Sequence, residues 1–248
     1  MTLSRDEGSP SIVANAGADS PFLLLGDHAG REIPFALGDL GVPKAEMDRH
    51  IAWDIGIAGL GARLAEALGA CFIRQRYSRL VIDCNRDPAR PDAFPEVSDG
   101  TPIPGNVGLT PAGRQARRAA IFEPYHAAIA AELDDRARRQ LPTLLIALHS
   151  FTPAMGGFDR PWRFGVLHAE DSPYSLRVLQ RLRAEVGEAV GDNLPYKMDD
   201  VDYTVPFHAR PRGLDYLELE VRQDTITEAA GQMAVAKLLE RLLPDALR

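Results

Sequence analysis

"LLIALHSF", residues 144–151, places five apolar residues directly before a histidine and a serine. A run this short, rich in Leu and Ile and followed by turn-forming residues, reads as an interior strand. "FLLLGDHAG", residues 22–30, has the same design: an apolar run, then a histidine, then a glycine. In open α/β sheets, ligands bind beyond the carboxyl ends of the strands. His28 and His149 are therefore expected at two strand ends that face one crevice.

The remaining elements extend this pattern. Residues 44–69 have helical spacing, with Ile51, Ile55, Ala58, Leu64 and Leu68 on one face. Gly56, Gly59 and Gly61 allow a break into two pieces. Short strands are expected at 70–74 and 79–83, and helices at 112–139, 173–190 and 225–243. "RFGVLHAED" and "LDYLELEVRQD" read as further strands. In the second of these, Leu217, Leu219 and Val221 point one way and Glu218, Glu220 and Arg222 the other. Strands alternating with helices predict a three-layer α/β sandwich around a mostly parallel central sheet. Residues 1–20 read as a flexible N-terminal arm and 21–248 as a single domain. Residues 88–112, with many Pro, Gly and Asp, form a connection longer than ordinary loops, which marks it as functional or mobile.

Composition narrows the function. The formal net charge of -7 argues against general nucleic-acid binding, which needs a basic face. No apolar run approaches a membrane span, and no signal peptide is evident at the N-terminus. A cytoplasmic protein with a small-molecule substrate is expected. Cys71 and Cys84 sit in apolar settings and read as buried thiols. The chain lacks a GxSxG elbow, a P-loop, an HExxH and a CxxC cluster.

Neutral imidazole is a common zinc ligand, and a catalytic zinc takes three protein ligands and leaves one position open. His28 and His149 thus need a third partner, and Asp27, Glu32 and Asp54 are the candidates. Glu220 lies between Leu219 and Val221; burial there would raise its pKa and suit it to general-base work. Arg79, Asp83, Asn85 and Arg86 gather at a third strand end, where an arginine fork can hold a carboxylate. Arg222 is a further candidate for that role. His208, on a long irregular stretch, is expected to reach the site by loop closure and to steady an oxyanion. His50 and His126 read as helix packing or surface residues. Ser150 adjoins His149 but points to the opposite face of the strand.

"DHAGREIP", "HIAWDIGIAGLGARLAEALGA", "RYSRLVIDCNRDP", "LIALHSFTP" and "LELEVRQD" follow one another along the chain. Together they resemble the N-formylglutamate amidohydrolase family over about residues 22–240. The resemblance implies a phosphorylase/hydrolase-like fold similar to the zinc carboxypeptidases. It also implies zinc-dependent hydrolysis of N-formyl-L-glutamate to formate and glutamate, a step of histidine degradation. His28 and His149 match the family's metal ligands, and Glu220 its water-activating base. The Asn85–Arg86 pair matches the carboxylate grip of the carboxypeptidases. Those enzymes carry a glutamate ligand three residues after the first histidine, where this chain has Arg31. Asp54 is therefore preferred over Glu32 as third ligand. Alternative readings are a hydrolase of another N-acyl amino acid or peptide, or a catalytically silent ligand-binding protein.

Overall fold

Both histidine-terminated runs are buried on both faces, as strands in the middle of a sheet must be. The computed structural model describes residues 3–169, 172–198 and 202–248. Its main sheet has seven strands: β1 (Ser11–Ala14), β2 (Phe22–Gly26), β3 (Cys71–Gln75), β4 (Leu144–Phe151), β5 (Phe164–Leu167), β6 (Val190–Asp192) and β7 (Tyr216–Arg222). Their order is β1-β3-β2-β4-β7-β5-β6. Strands β3, β2, β4 and β7 run parallel. The edges reverse: β1 is antiparallel to β3, and β5 is antiparallel to β7 while parallel to β6.

Alternation along the strands divides the core in two. Leu24, Ile146, Leu148, Leu217 and Leu219 face helices α1 (Ile57–Leu68), α3 (Pro173–Val186) and α5 (Ala229–Asp245). Leu23, Leu25, Leu145, Ala147 and Tyr216 face α2 (Glu123–Arg138), α4 (Thr204–His208) and the loops between 77 and 106. This is the expected three-layer α/β sandwich with a mostly parallel sheet.

Two expectations fail for physical reasons. Residues 79–83 form turns and irregular backbone, not a strand. Both edges of β3 are already occupied, by β1 and β2, so this apolar segment has no ladder to join. Its buried backbone is satisfied otherwise: Arg117 Nη1 donates to the Val81 carbonyl (3.0 Å), Asn106 Nδ2 to that of Leu80 (2.9 Å), and the Asp83 N–H to that of Ala93 (2.9 Å). Nor are residues 1–20 wholly a loose arm. Ser11–Ala14 pairs with β3 from Ser11↔Gln75 to Ala14↔Phe72. Arg136, fully buried, ties down the segment that follows by donating to the carbonyls of Ala18, Ser20 and Pro142.

Inside the long 88–112 connection, Val97–Ser98 and Thr101–Pro102 pair as a small hairpin. Its turn residues, Asp99 and Gly100, have φ of 42° and 78°, the left-handed pair that favours Asp-Gly in two-residue hairpins. A second hairpin, Ala154–Met155 with Phe158–Asp159, turns at Gly156 and Gly157, whose φ values are 60° and 81°.

Replacing Arg136 by Met would strand three partly buried carbonyls and leave the buried Glu132 carboxylate, 3.7 Å away, without its counter-charge. Breaking a buried pair in this way costs about 3–5 kcal/mol. Urea denaturation of R136M should show a loss of that size, with an unchanged m-value.

Candidate metal centre and active site

The centre is assembled at the carboxyl edge of β2, β4 and β7. Chain β2 ends at Gly26, and Asp27 and His28 follow at once. His149 lies on the adjacent β4, and Glu220 is its register partner on β7. Asp54 arrives from a separate segment. Its backbone N–H donates to the His28 carbonyl at 2.8 Å, and its Oδ2 accepts the Ser150 N–H at 3.1 Å. Gly56 then turns the chain into α1 with φ of 87°. A β-carbon there would stand 2.3 Å from the Ile226 carbonyl oxygen, so only glycine fits.

Both imidazoles turn the same nitrogen toward Asp54. His149 Nδ1 is 3.0 Å and His28 Nδ1 3.6 Å from Asp54 Oδ2, with ring centroids 5.0 Å apart. Both present the opposite nitrogen to a carboxylate: His28 Nε2 lies 2.7 Å from Asp83 Oδ1, and His149 Nε2 lies 3.4 Å from Asp27 Oδ2. Asp27 is itself fixed through Oδ1, which accepts the hydroxyls of Tyr125 and Thr204 at 2.9 Å each. A carboxylate behind each ring is the usual outer shell of a metal-binding histidine.

Among the described residues, the buried His28 Nδ1 has no hydrogen-bond partner, an arrangement that costs stability unless a further group is bound. One donor atom from each of His28, Asp54 and His149 lies within 4.8 Å of the others. Zinc ligands at about 2.0–2.1 Å in a tetrahedral set stand about 3.4 Å apart. The observed separations of 3.0 and 3.6 Å bracket that value. The residues fit a divalent cation through three N/O donors.

Charge points the same way. Burial alone would raise the Asp54 and Asp83 carboxyls. For Asp54, the attraction of His28 and His149 overcomes it, and for Asp83 that of Arg79 and His28, so both stay below the ordinary carboxylate range. Burial and Arg79 push His28 down, but Asp83 and Asp54 hold it above its usual value. Burial also lowers His149, and Asp27 and Asp54 lift it well above. Three buried carboxylates thus demand positive charge at these rings. Glu220 behaves differently: burial raises it to about 7, against the pull of His149. Its Oε2 has no hydrogen-bond partner among the described residues. Glu218, two residues earlier on the same face, is raised further by burial and by Asp202.

A cavity of about 730 Å³ opens over the centre, lined by His28, Asp54, His149, Glu220, Arg86 and Tyr196 among others. The other expected site residues divide. Arg79 and Asn85 line the cavity but are already engaged. Arg79 grips Asp83 Oδ2 through Nε and Nη2 at 3.1 and 2.7 Å. The Asn85 side-chain carbonyl accepts the N–H groups of Tyr203 and Thr204. Both hold the site's walls rather than offering a grip. Among the described residues, Arg86 has acids only at 3.7 Å (Asp202) and 3.8 Å (Asp92).

Arg222 does not line the cavity. It reaches past the end of β7, where Asp224 binds it at 2.9 Å. Glu32 is also outside, paired with Arg76. His208 is not on a mobile loop. It lies in α4, fully buried, with Nε2 2.9 Å from His126 Nδ1, and does not line the cavity. His50, expected on a helix, sits in a turn and does line it. Ser150 is structural; its hydroxyl donates to the Ile55 carbonyl.

The N-formylglutamate amidohydrolase profile matches residues 20–227. The chain belongs to the N-formylglutamate amidohydrolase family. A Pseudomonas putida N-formylglutamate deformylase is 32% identical over 137 residues, 51% of this chain and 49% of that protein. The match thus spans about half of that relative. The crystal structure of an Agrobacterium tumefaciens gene product superposes with a TM-score of 0.96 at 35% identity, covering 100% of this chain and 98% of that one. N-formylglutamate amidohydrolase from Ralstonia eutropha shares the fold, with a TM-score of 0.67 at 21% identity over 97% of this family member and 98% of that chain.

Behind the centre, His126 Nε2 faces the Cys84 carbonyl at 3.0 Å. It therefore donates there, and Nδ1 accepts from His208. Burial holds His126 at about 4 and His208 at about 3. Both lie below the unfolded value, so the unfolded chain takes up protons first. Their contribution is complete above about pH 6.5 and is lost as pH falls toward 4 and 3. At pH 5 this amounts to about 1–2 kcal/mol per imidazole. A His126→Gln/His208→Gln variant should show a flatter fall of unfolding free energy between pH 6.5 and 5 than the parent chain.

Proposed function

We propose that this protein is a zinc-dependent amidohydrolase that removes the formyl group from N-formyl-L-glutamate. The observation that carries the reading is the pair of Nδ1 atoms turned on Asp54 Oδ2, each imidazole backed by a carboxylate, with Glu220 in register beside them. Family membership supports the formyl amide as the bond broken.

His28, Asp54 and His149 would hold the ion. Held there, a zinc would supply Lewis acidity toward the attacking water and the amide carbonyl. Asp83 and Asp27 keep each ring's outward nitrogen protonated and its inward nitrogen free to bind. Glu220, poised near neutrality, takes a proton from the attacking water and delivers it to the leaving nitrogen. The water oxygen ends in formate, the C–N bond breaks, and glutamate leaves as the amine. Arg86 supplies a guanidinium for one substrate carboxylate. Among the described residues, no helix is long and apolar enough to cross a membrane. A small molecule is the proposed partner, with neither nucleic acid nor membrane required. The 730 Å³ cavity favours a second reading, in which the acyl group is larger than formyl.

Formate release from N-formyl-L-glutamate, measured beside zinc content by atomic emission, tests the scheme. Glu220→Gln should lower kcat by about 10²- to 10⁴-fold while retaining the ion. His149→Ala should lose both ion and turnover. Full activity in chelator-stripped protein would sink the metal part. Glu220 works as a base only when ionised, so kcat/KM should fall as pH drops below about 7. A bound cation moves that limb lower, and Glu220→Gln should abolish it.

A further inference from the structure

A substrate with two carboxylates needs two cationic anchors, and the arginines expected to provide them are mostly spent. Arg79 is bound by Asp83, and Arg222 by Asp224 outside the cavity. Arg86 is left for one carboxylate. Arg160 meets a different fate. Among the described residues it has no carboxylate within ion-pair distance. Its Nη1 donates instead to the Thr152 hydroxyl at 3.1 Å and to the Tyr196 hydroxyl at 3.0 Å, and its Nη2 to Met155 Sδ at 3.2 Å. The guanidinium also lies 4.9 Å from the Tyr196 ring centroid. All three acceptors line the cavity.

The setting is built rather than incidental. Arg160 closes the Gly156–Gly157 hairpin, with its N–H donating to the Pro153 carbonyl and its own carbonyl accepting from Arg222 Nη1. Three of its five side-chain N–H groups are used, so two remain to donate. The Tyr196 hydroxyl accepts from Arg160, so its own hydrogen is available to an acceptor in the cavity. Burial and the nearby Glu220 charge raise that phenol, which keeps the hydrogen in place. Lys197, on the same loop, also lacks an ion pair among the described residues, but it is exposed on a flexible stem and held by nothing.

Resting on the amidohydrolase reading, we propose that Arg160 and the Tyr196 hydroxyl form a second anion subsite, which takes the substrate's side-chain carboxylate and sets the preference for acidic acyl amino acids. Position decides which carboxylate goes where. Arg86 follows Asp83, the acid that touches the His28 ring, so it lies near the reacting amide and suits the α-carboxylate. Arg160 does not itself line the cavity; it bonds Thr152, Met155 and Tyr196, which do, and the 38% and 41% exposure of Met155 and Tyr196 marks that wall as the rim. The far end of a glutamyl side chain reaches outward to such a rim.

The test compares N-formyl-L-glutamate with its neutral isostere N-formyl-L-glutamine in the zinc-loaded protein. A charge-assisted hydrogen bond of the usual strength corresponds to about 10- to 100-fold in affinity. Arg160→Met should lower kcat/KM for the glutamate by that factor, chiefly through KM, and change the glutamine by less than about threefold. Tyr196→Phe should act in the same direction with smaller size, and Arg160→Lys should restore part of the loss. Equal losses on both substrates, or a selective loss in Lys197→Met but not in Arg160→Met, would overturn the subsite. Should the parent chain hydrolyse neither compound, the deformylase reading fails separately. Calorimetric titration with glutarate then decides the subsite: weaker binding to Arg160→Met supports it, and equal binding refutes it.

Discussion

The Asp54 carboxylate, sealed between two imidazoles and backed by two further acids, is the constraint on which the site depends. Burying three carboxylates in one small volume is tolerable only with compensating positive charge. Arg79 supplies one such charge from the side. The two rings supply the rest, and their Nδ1 atoms face the space where a cation would relieve all three acids at once. Much of the surrounding structure answers to this arrangement: the break in the chain at Gly56, the buried irregular backbone of 79–83, and the Tyr125 and Thr204 hydroxyls that steady Asp27.

The sheet explains why such a cluster is reached from distant parts of the chain. Three adjacent parallel strands end at the same level, so the residues after β2, late in β4 and late in β7 meet without long excursions. Glu220 shares that edge but not that environment. It lacks the close arginine that holds Asp83 ionised, and so its proton is loosely bound near neutrality. Two kinds of carboxylate therefore stand side by side, one kind fixed as anions and the other ready to exchange a proton.

The sequence revealed what depends on local periodicity. His28 and His149 were visible because apolar runs stop on them, and Glu220 because alternation along its strand set it opposite Leu219 and Val221. Asp54 could be named only among several acids, since its place depends on how the chain folds back through the irregular segment that precedes α1. Arg222 misled because alternation assigns a face but not where the sheet ends, and Asp224 captures the side chain beyond it. His208 misled because an irregular stretch suggested mobility where a short buried helix forms. Residues 79–83 carry the apolar run Leu80–Ile82 of a short strand, yet both edges of the neighbouring β3 are already taken. The Asp99–Gly100 hairpin carried a usable signal in its dipeptide. Arg160 carried none, since nothing in the order of residues tells that an arginine will have no acid beside it among the described residues.

The two small hairpins have a consequence of their own. Each closes on a two-residue turn, so its backbone demands are met within itself. Residues at the tips can be exchanged or inserted while the strand ends beneath stay in register. The donor cluster thus sits on the strand ends, while the two hairpins border the cavity above it through Ser98, Asp99 and Met155. On the amidohydrolase reading proposed above, changes confined to those hairpins would alter which substrate is admitted and leave the donor cluster untouched.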